Sequence, residues 1–231
     1  MLLFPHLEEA GLICAVSTRP INVREAEDRD RFVEALGLDA ARTVSARQIH
    51  RARVARIDAG HPPGVEPIGD ALITDVPAQP LLLRAADCSL VVIADPKHKA
   101  IGLAHAGWKG SVRGILINLM RALHRNYGTH PKDCLAAIGP TVTAPNYPVG
   151  PVVPTSFLRK RAWAAEHVYV AKGKFHFDLP GANAHFLREC GVPASAIDIC
   201  ELCTVDEEEM LHSFRRDGVE AGHHGMVAAW A

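Results

Sequence analysis

Hydrophobic positions are densest between residues 80 and 105, where three apolar runs, LLLRAAD, SLVVIAD and AIGLAHA, follow one another with only short polar links. Short apolar runs bounded by turn signals read as strands buried on both faces, so this segment predicts neighbouring strands at the core of the fold. Upstream, residues 11–18 form another short apolar, β-branched run, and residues 28–38 show helical spacing that stops at Gly37. These predict an opening strand and helix. Residues 53–57 alternate weakly, HPPGVEP beyond them is a turn-rich surface loop, and residues 70–74 predict the next strand.

Downstream, Ser111 is placed to cap a helix in which Ile115, Leu119 and Leu123 recur every fourth residue, with Gly128 as its stop. A strand over 135–138 follows. The Pro and Gly content of residues 139–154, GPTVTAPNYPVGPVVP, predicts a long shaped loop without regular structure. A helix over 156–166, the hairpin VYVA-KG-KFHFDL, a helix over 182–190 ending at Gly191 and a strand over 196–202 precede a charged C-terminal stretch.

Composition narrows the class. A length of 231 residues suits one domain spanning 1–231, and 48% hydrophobic with 22% charged residues is the balance of a soluble globular chain. No apolar run approaches the roughly 18 residues of a membrane helix, and MLLFPHLEEAGL lacks the basic lead and apolar stretch of a secretory signal. Six scattered cysteines read as reduced cytosolic thiols rather than a disulfide framework, and a formal charge of -1 argues against a dedicated nucleic-acid binder. The expectation is a cytoplasmic protein whose partner is a small molecule, with neither nucleic acid nor membrane.

The candidate chemistry lies at strand ends. Cys88 sits where one apolar run hands over to the next, directly after Asp87, and His105 closes the third run beside Ala106-Gly107-Trp108. Neutral imidazole and thiolate make a strong zinc set, but a Cys between apolar strands also serves as a small core residue, and periodicity leaves both readings open. His50 is one of thirteen histidines and carries no local signal of its own. Cys200 and Cys203 have Cys-x-x-Cys spacing inside an apolar pattern and read as core packing, while His223-His224 reads as a solvated pair in a tail.

Ordered motifs join these residues. ARQIH, GDALIT, RAADCSLVVIADP and GLAHAGWKG, followed by AIGP, NYPVG, DLPGAN, Cys203-Thr204 and SFRRDG, resemble in that order the motifs of the YfiH family, also called the laccase-domain or peptidoglycan-editing-factor family. The resemblance covers nearly the whole chain. It implies an α+β fold, a mixed β-sheet sandwich flanked by helices, similar to the catalytic domain of cytotoxic necrotizing factor toxins. It also implies a single zinc ion held by His50, Cys88 and His105, which take the places of the family's Gln-Val-His, Ala-Asp-Cys and His-Ala-Gly-Trp residues. The implied activities are phosphorolysis of the purine nucleosides adenosine, inosine and methylthioadenosine, and deamination of adenosine.

Within that frame Arg47, Arg215 and Arg216 are the candidate contacts for phosphate or nucleoside, because guanidinium groups bind such oxygens bidentately. Asp87 is placed either to orient a ligand histidine through its second nitrogen or to cap a strand-end turn. The chain departs from the family pattern in three places. It lacks the Gly-Gly-Val-Ser and Asn-Leu-Gly motifs after Arg19, it has Pro145-Asn146 where many members have two cysteines, and it has His223 in place of an arginine. The rival mechanism is a Cys–His amide hydrolase acting on a peptidoglycan precursor, with Cys88 as nucleophile and His105 as base. Copper oxidase chemistry would need clustered histidines that this sequence lacks.

Overall fold

In the computed structural model, which describes residues 1–230, the apolar runs become strands of two stacked sheets. The chain opens with β1 (Leu2–Leu3), α1 (Pro5–Glu9), β2 (Leu12–Val16) and α2 (Ala26–Glu34), the last two near the strand and helix read from the pattern. Next come β3 (Val54–Arg56), β4 (Ala71–Thr74), β5 (Leu81–Ala85), β6 (Ser89–Asp95) and β7 (Ala100–Ala106). Two helices follow, α3 (Trp108–Val112) and α4 (Ile115–Tyr127), then β8 (Leu135–Ile138), β9 (Pro148–Val149) and α5 (Val152–Leu158). The hairpin β10 (Val168–Ala171) and β11 (Lys174–Phe177) leads to α6 (Leu179–Glu189), β12 (Ile197–Ile199), α7 (Phe214–Asp217) and β13 (His224–Trp230).

A six-stranded mixed sheet has the order β12-β8-β6-β7-β4-β3, and a four-stranded antiparallel sheet has the order β1-β2-β13-β5. Alternation along each strand divides its side chains between two cores. Leu72, Leu90, Val92 and Leu103 of the larger sheet meet Leu81, Leu83, Val16 and Met226 of the smaller one in the middle of the sandwich. On its other face, Ile73, Val91, Ile93 and Ala104 pack against Leu119 and Leu123 of α4 and against Phe186 and Leu187 of α6. The outer face of the small sheet, with Ala15, Leu82 and Val227, is covered by Phe32 and Val33 of α2. The mixed sandwich flanked by helices is thus observed.

Several elements differ from the pattern reading, each for a physical reason. The three central runs do not share a sheet: β6 and β7 pair with each other, whereas β5 pairs with β13 across the sandwich. Ser111 does not cap α4. Gly114, at φ 82°, takes the left-handed turn that separates α3 from α4, and Ser111 sits inside α3 with its hydroxyl donating to Asn183 Oδ1 at 2.7 Å. α5 begins within the Pro-rich segment that was expected to be irregular and ends at Leu158, before a 3-10 turn over Ala162–His167. α6 starts three residues earlier than its spacing suggests because Asp178 caps it, accepting from the Gly181 N–H at 3.0 Å. The C-terminal residues are not a tail: β13 is fully buried between β2 and β5, and His224 has no solvent exposure.

Candidate metal centre

Strand register brings the site together. β6 and β7 run antiparallel with Ser89 opposite Ala106, so Cys88, one residue before β6, meets the turn that follows His105. β4 and β7 are antiparallel with Ala71 opposite Ala104, which sets Asp70 beside His105. The loop carrying His50 is tied to the start of β4 by backbone bonds between residues 47 and 69 and by an isolated Arg47–Ile68 bridge. One ligand atom each from His50, Cys88 and His105 then lies within 4.8 Å of the other two.

Asp70 organises this group. Its fully buried carboxylate accepts from the N–H groups of Ile49, His50 and Arg51 at 3.2, 2.8 and 2.8 Å. The same carboxylate lies 3.0 Å from His105 Nδ1, which fixes the proton on that nitrogen and turns Nε2 towards Cys88. His50 adopts φ 54°, a left-handed conformation that costs a non-glycine residue energy, and three bonds to one carboxylate hold it there. Gly107 completes the fit: a Cβ there would stand 2.5 Å from Cys88 Sγ, so any larger residue displaces the thiol.

Electrostatics match a ligand set. Burial pushes the Cys88 thiol up, yet His105 and then His50 beside it bring it down to about 6, a shift that favours the thiolate. Burial pushes His105 down, but the Cys88 sulfur and the Asp70 carboxylate raise it to about 9. Burial likewise works against the Asp70 charge, and the bonds from His105 and the backbone keep its carboxyl below the ordinary carboxylate value. A metal ion bound by both groups would displace the proton for which this thiol and imidazole compete.

The three residues line one wall of a cavity of about 650 Å³, a size suited to a small-molecule ligand. Tyr147 and Phe214 give it aromatic faces, and Arg24, Arg84 and Arg215 give it positive charge. Of the three arginines expected from the sequence, only Arg215 lines this cavity. Its guanidinium lies 5.2 Å over the Tyr147 ring and donates to the Pro148 carbonyl at 3.1 Å. Arg47 is exposed and does not line the cavity. Arg216 is committed elsewhere, clamping Asp217 and the carbonyls of Thr204, Val205 and Leu211. Asp87 orients no histidine. Held at φ 87°, it accepts from the Thr204 hydroxyl and the Arg215 N–H, both at 2.6 Å, and so positions α7 at the cavity rim.

Asp70, Arg24 and Arg84 carry the features that residue-by-residue reading missed. Asp70 was visible as the acid of the GDALIT motif and Arg84 as the first residue of RAADCSLVVIADP, whereas Arg24 carries no local signal; the fold alone brings the two arginines to the cavity. Gln48 supports Arg84 by exchanging two bonds with its backbone, at 2.8 and 3.0 Å.

Comparison with known proteins agrees with this architecture. The family model described as multi-copper polyphenol oxidoreductase laccase matches residues 9–231. A purine nucleoside phosphorylase of Bacteroides thetaiotaomicron is 34% identical over 66% of this chain, and the matched part spans 57% of that relative's length. A purine nucleoside phosphorylase of Deinococcus radiodurans is 35% identical, covering 87% of this chain and 76% of its own. An adenosine deaminase, RL5, from an unknown prokaryotic organism is 31% identical, covering 81% and 74%. The crystal structure of a Bacillus licheniformis hypothetical protein, YfiH, superposes with a TM-score of 0.91 at 25% identity, covering 100% of this chain and 96% of that one.

Proposed function

This chain belongs to the YfiH family, whose model bears the laccase description, and on that premise we propose that it is a zinc-dependent purine nucleoside phosphorylase. Its substrates are adenosine, inosine and methylthioadenosine, with adenosine deamination as a second activity. The observation that carries the reading is the meeting, in one cavity, of the His50–Cys88–His105 group with three arginines and two aromatic rings.

His50, Cys88 and His105 would hold the zinc. Two imidazoles and a thiolate form a donor set of catalytic zinc sites, the neighbouring histidines lower the pKa of the Cys88 thiol, and the second nitrogen of His105 is bonded to Asp70 as such ligands require. Bound there, zinc supplies a Lewis acid at the cavity wall and lowers the pKa of water towards about 7. The three ligands read as one metal with an open position, not as the several coppers of an oxygen-reducing oxidase.

In phosphorolysis a phosphate oxygen bonds to ribose C1′ as the bond from C1′ to the base nitrogen breaks. The electron pair leaves with the purine, which then takes up a proton. Arg24 and Arg84, whose guanidinium groups form no ion pair among the described residues, suit the phosphate, and Arg215 extends the positive wall. Arg24 comes from the stretch in which the chain departs from the family pattern, and it restores positive charge on the side where His223 replaces an arginine. Tyr147 and the exposed Phe214 ring offer flat apolar surfaces to the base. All six cysteines are free thiols, in keeping with a cytoplasmic setting, and residues 1–231 are read as one catalytic unit.

The test is to incubate purified protein with adenosine, with and without phosphate, and to separate the products. Adenine is expected only when phosphate is present and inosine in either case; hypoxanthine appears only where inosine and phosphate coexist. Failure to form any of the three would remove the assignment. A second reading rests on the alignment of Asp70, His105 and Cys88, which is also the arrangement of a Cys–His hydrolase. That reading requires a metal-free enzyme that alkylation of Cys88 inactivates.

A further inference from the structure

A second group of metal-capable side chains lies outside the cavity. Glu166 and His167 close the 3-10 turn over Ala162–His167, and His185 faces them from α6; one ligand atom from each lies within 4.8 Å of the other two. His167 is buried, and its Nδ1 lies 3.2 Å from Asp178 Oδ2, so the proton belongs on Nδ1 and the lone pair on Nε2. That Nε2 is aimed at His185 Nδ1, 3.5 Å away. The His185 ring is held flat against Trp163, with centroids 3.9 Å apart and planes 9° from parallel.

Two features separate this arrangement from a chance pair of histidines. Asp178 can reach His167 only because residue 181 is glycine: a Cβ there would lie 1.9 Å from Asp178 Oδ2 and 3.0 Å from His167 Nδ1. Asp178 also caps α6 through its other oxygen, so helix start and histidine orientation are fixed by one side chain. The two facing imidazole nitrogens, 3.5 Å apart, are satisfied either by a proton on His185 Nδ1 or by one ion ligated between them, and the Glu166 carboxylate stands at the open, solvent side of the pair.

We propose that Glu166, His167 and His185 form a second, thiol-free site for a divalent transition ion of the zinc class, in which Asp178 orients His167. Two imidazoles and one carboxylate are the ligands such ions prefer, whereas magnesium and calcium favour oxygen-only sets. The site is a clamp. It fastens the 3-10 turn to α6 two residues from Asn183, whose side chain donates to the Ala106 carbonyl next to His105 at 3.0 Å. It therefore braces, from behind, the helix that supports the first centre.

Untagged full-length protein, stripped with a chelator and titrated with Co²⁺, tests this directly. Two equivalents are expected to bind, only one of them with the sulfur-to-cobalt charge-transfer absorption that Cys88 would give. Glu166→Gln, at an exposed site, and His185→Gln, at a half-buried one stacked on Trp163, are each expected to lose at least tenfold in affinity for the equivalent that lacks that absorption, with the metal-free melting of Glu166→Gln unchanged. The absorption keeps the two centres distinct, so failure of one is not mistaken for failure of the other. Binding of no thiol-free equivalent, or one that both variants retain at full affinity, would overturn the proposal.

Discussion

Asp70 is the residue on which the candidate centre turns. One carboxylate satisfies three consecutive N–H groups and an imidazole, and it holds His50 in a left-handed conformation while directing His105. Asp70→Ala should therefore act on both structure and metal. Orphaned donors cost on the order of 1–3 kcal/mol each when buried, and loss of the orienting partner of a ligand histidine weakens metal binding by about 10–100-fold. Zinc competition with a chromogenic chelator would show the weakening, and an unchanged affinity would mean that His105 is oriented by something else.

At the scale of elements, β7 is the hinge between core and site. Its Gly102 lets α4 settle on the sheet, because a Cβ there would lie 2.7 Å from Leu119 Cδ1 and 3.1 Å from Leu123 Cδ1. Gly102→Val is expected to overpack this contact at a cost of about 1–3 kcal/mol and to lower the thermal midpoint by several degrees, while metal binding persists. An unaltered midpoint would show that α4 shifts freely.

Much at this scale was legible in the chain. β6 and β7 announced themselves as apolar runs, and α4 by its four-residue spacing and its stop at Gly128. β13 was not, because HGMVAAW follows charged residues and lacks alternation; only its burial on both faces, between two strands distant in sequence, makes it a strand. The site was legible in part. Cys88 and His105 stood at strand ends, and ordered motifs joined them to His50, but nothing local could show that strand register places Asp70 beside His105 or brings Arg24 and Arg84 to the cavity.

The whole molecule carries an acid sensitivity in β13. Both ring nitrogens of the fully buried His224 lack partners among the described residues, and burial first, then His212 and His223, push its pKa down to about 3. The folded state therefore keeps this ring neutral, while the unfolded chain takes up a proton below about pH 6.5, so stability falls as pH drops from there and levels off only near pH 3. Within that window the slope is about 1.4 kcal/mol per pH unit. Denaturant titration at pH 6.5 and 4.5 should show His224→Leu losing about 2 kcal/mol less than the parent chain across the interval. Equal losses would locate the acid sensitivity in other groups.

The centre itself is tested most directly by zinc-edge X-ray absorption on protein loaded with one equivalent of zinc, compared with the Cys88→Ser variant. One sulfur at about 2.3 Å and nitrogen neighbours at about 2.0–2.1 Å are expected in the parent, with the sulfur absent from the variant. A parent spectrum without sulfur, or a variant that keeps it, would contradict a metal held by His50, Cys88 and His105.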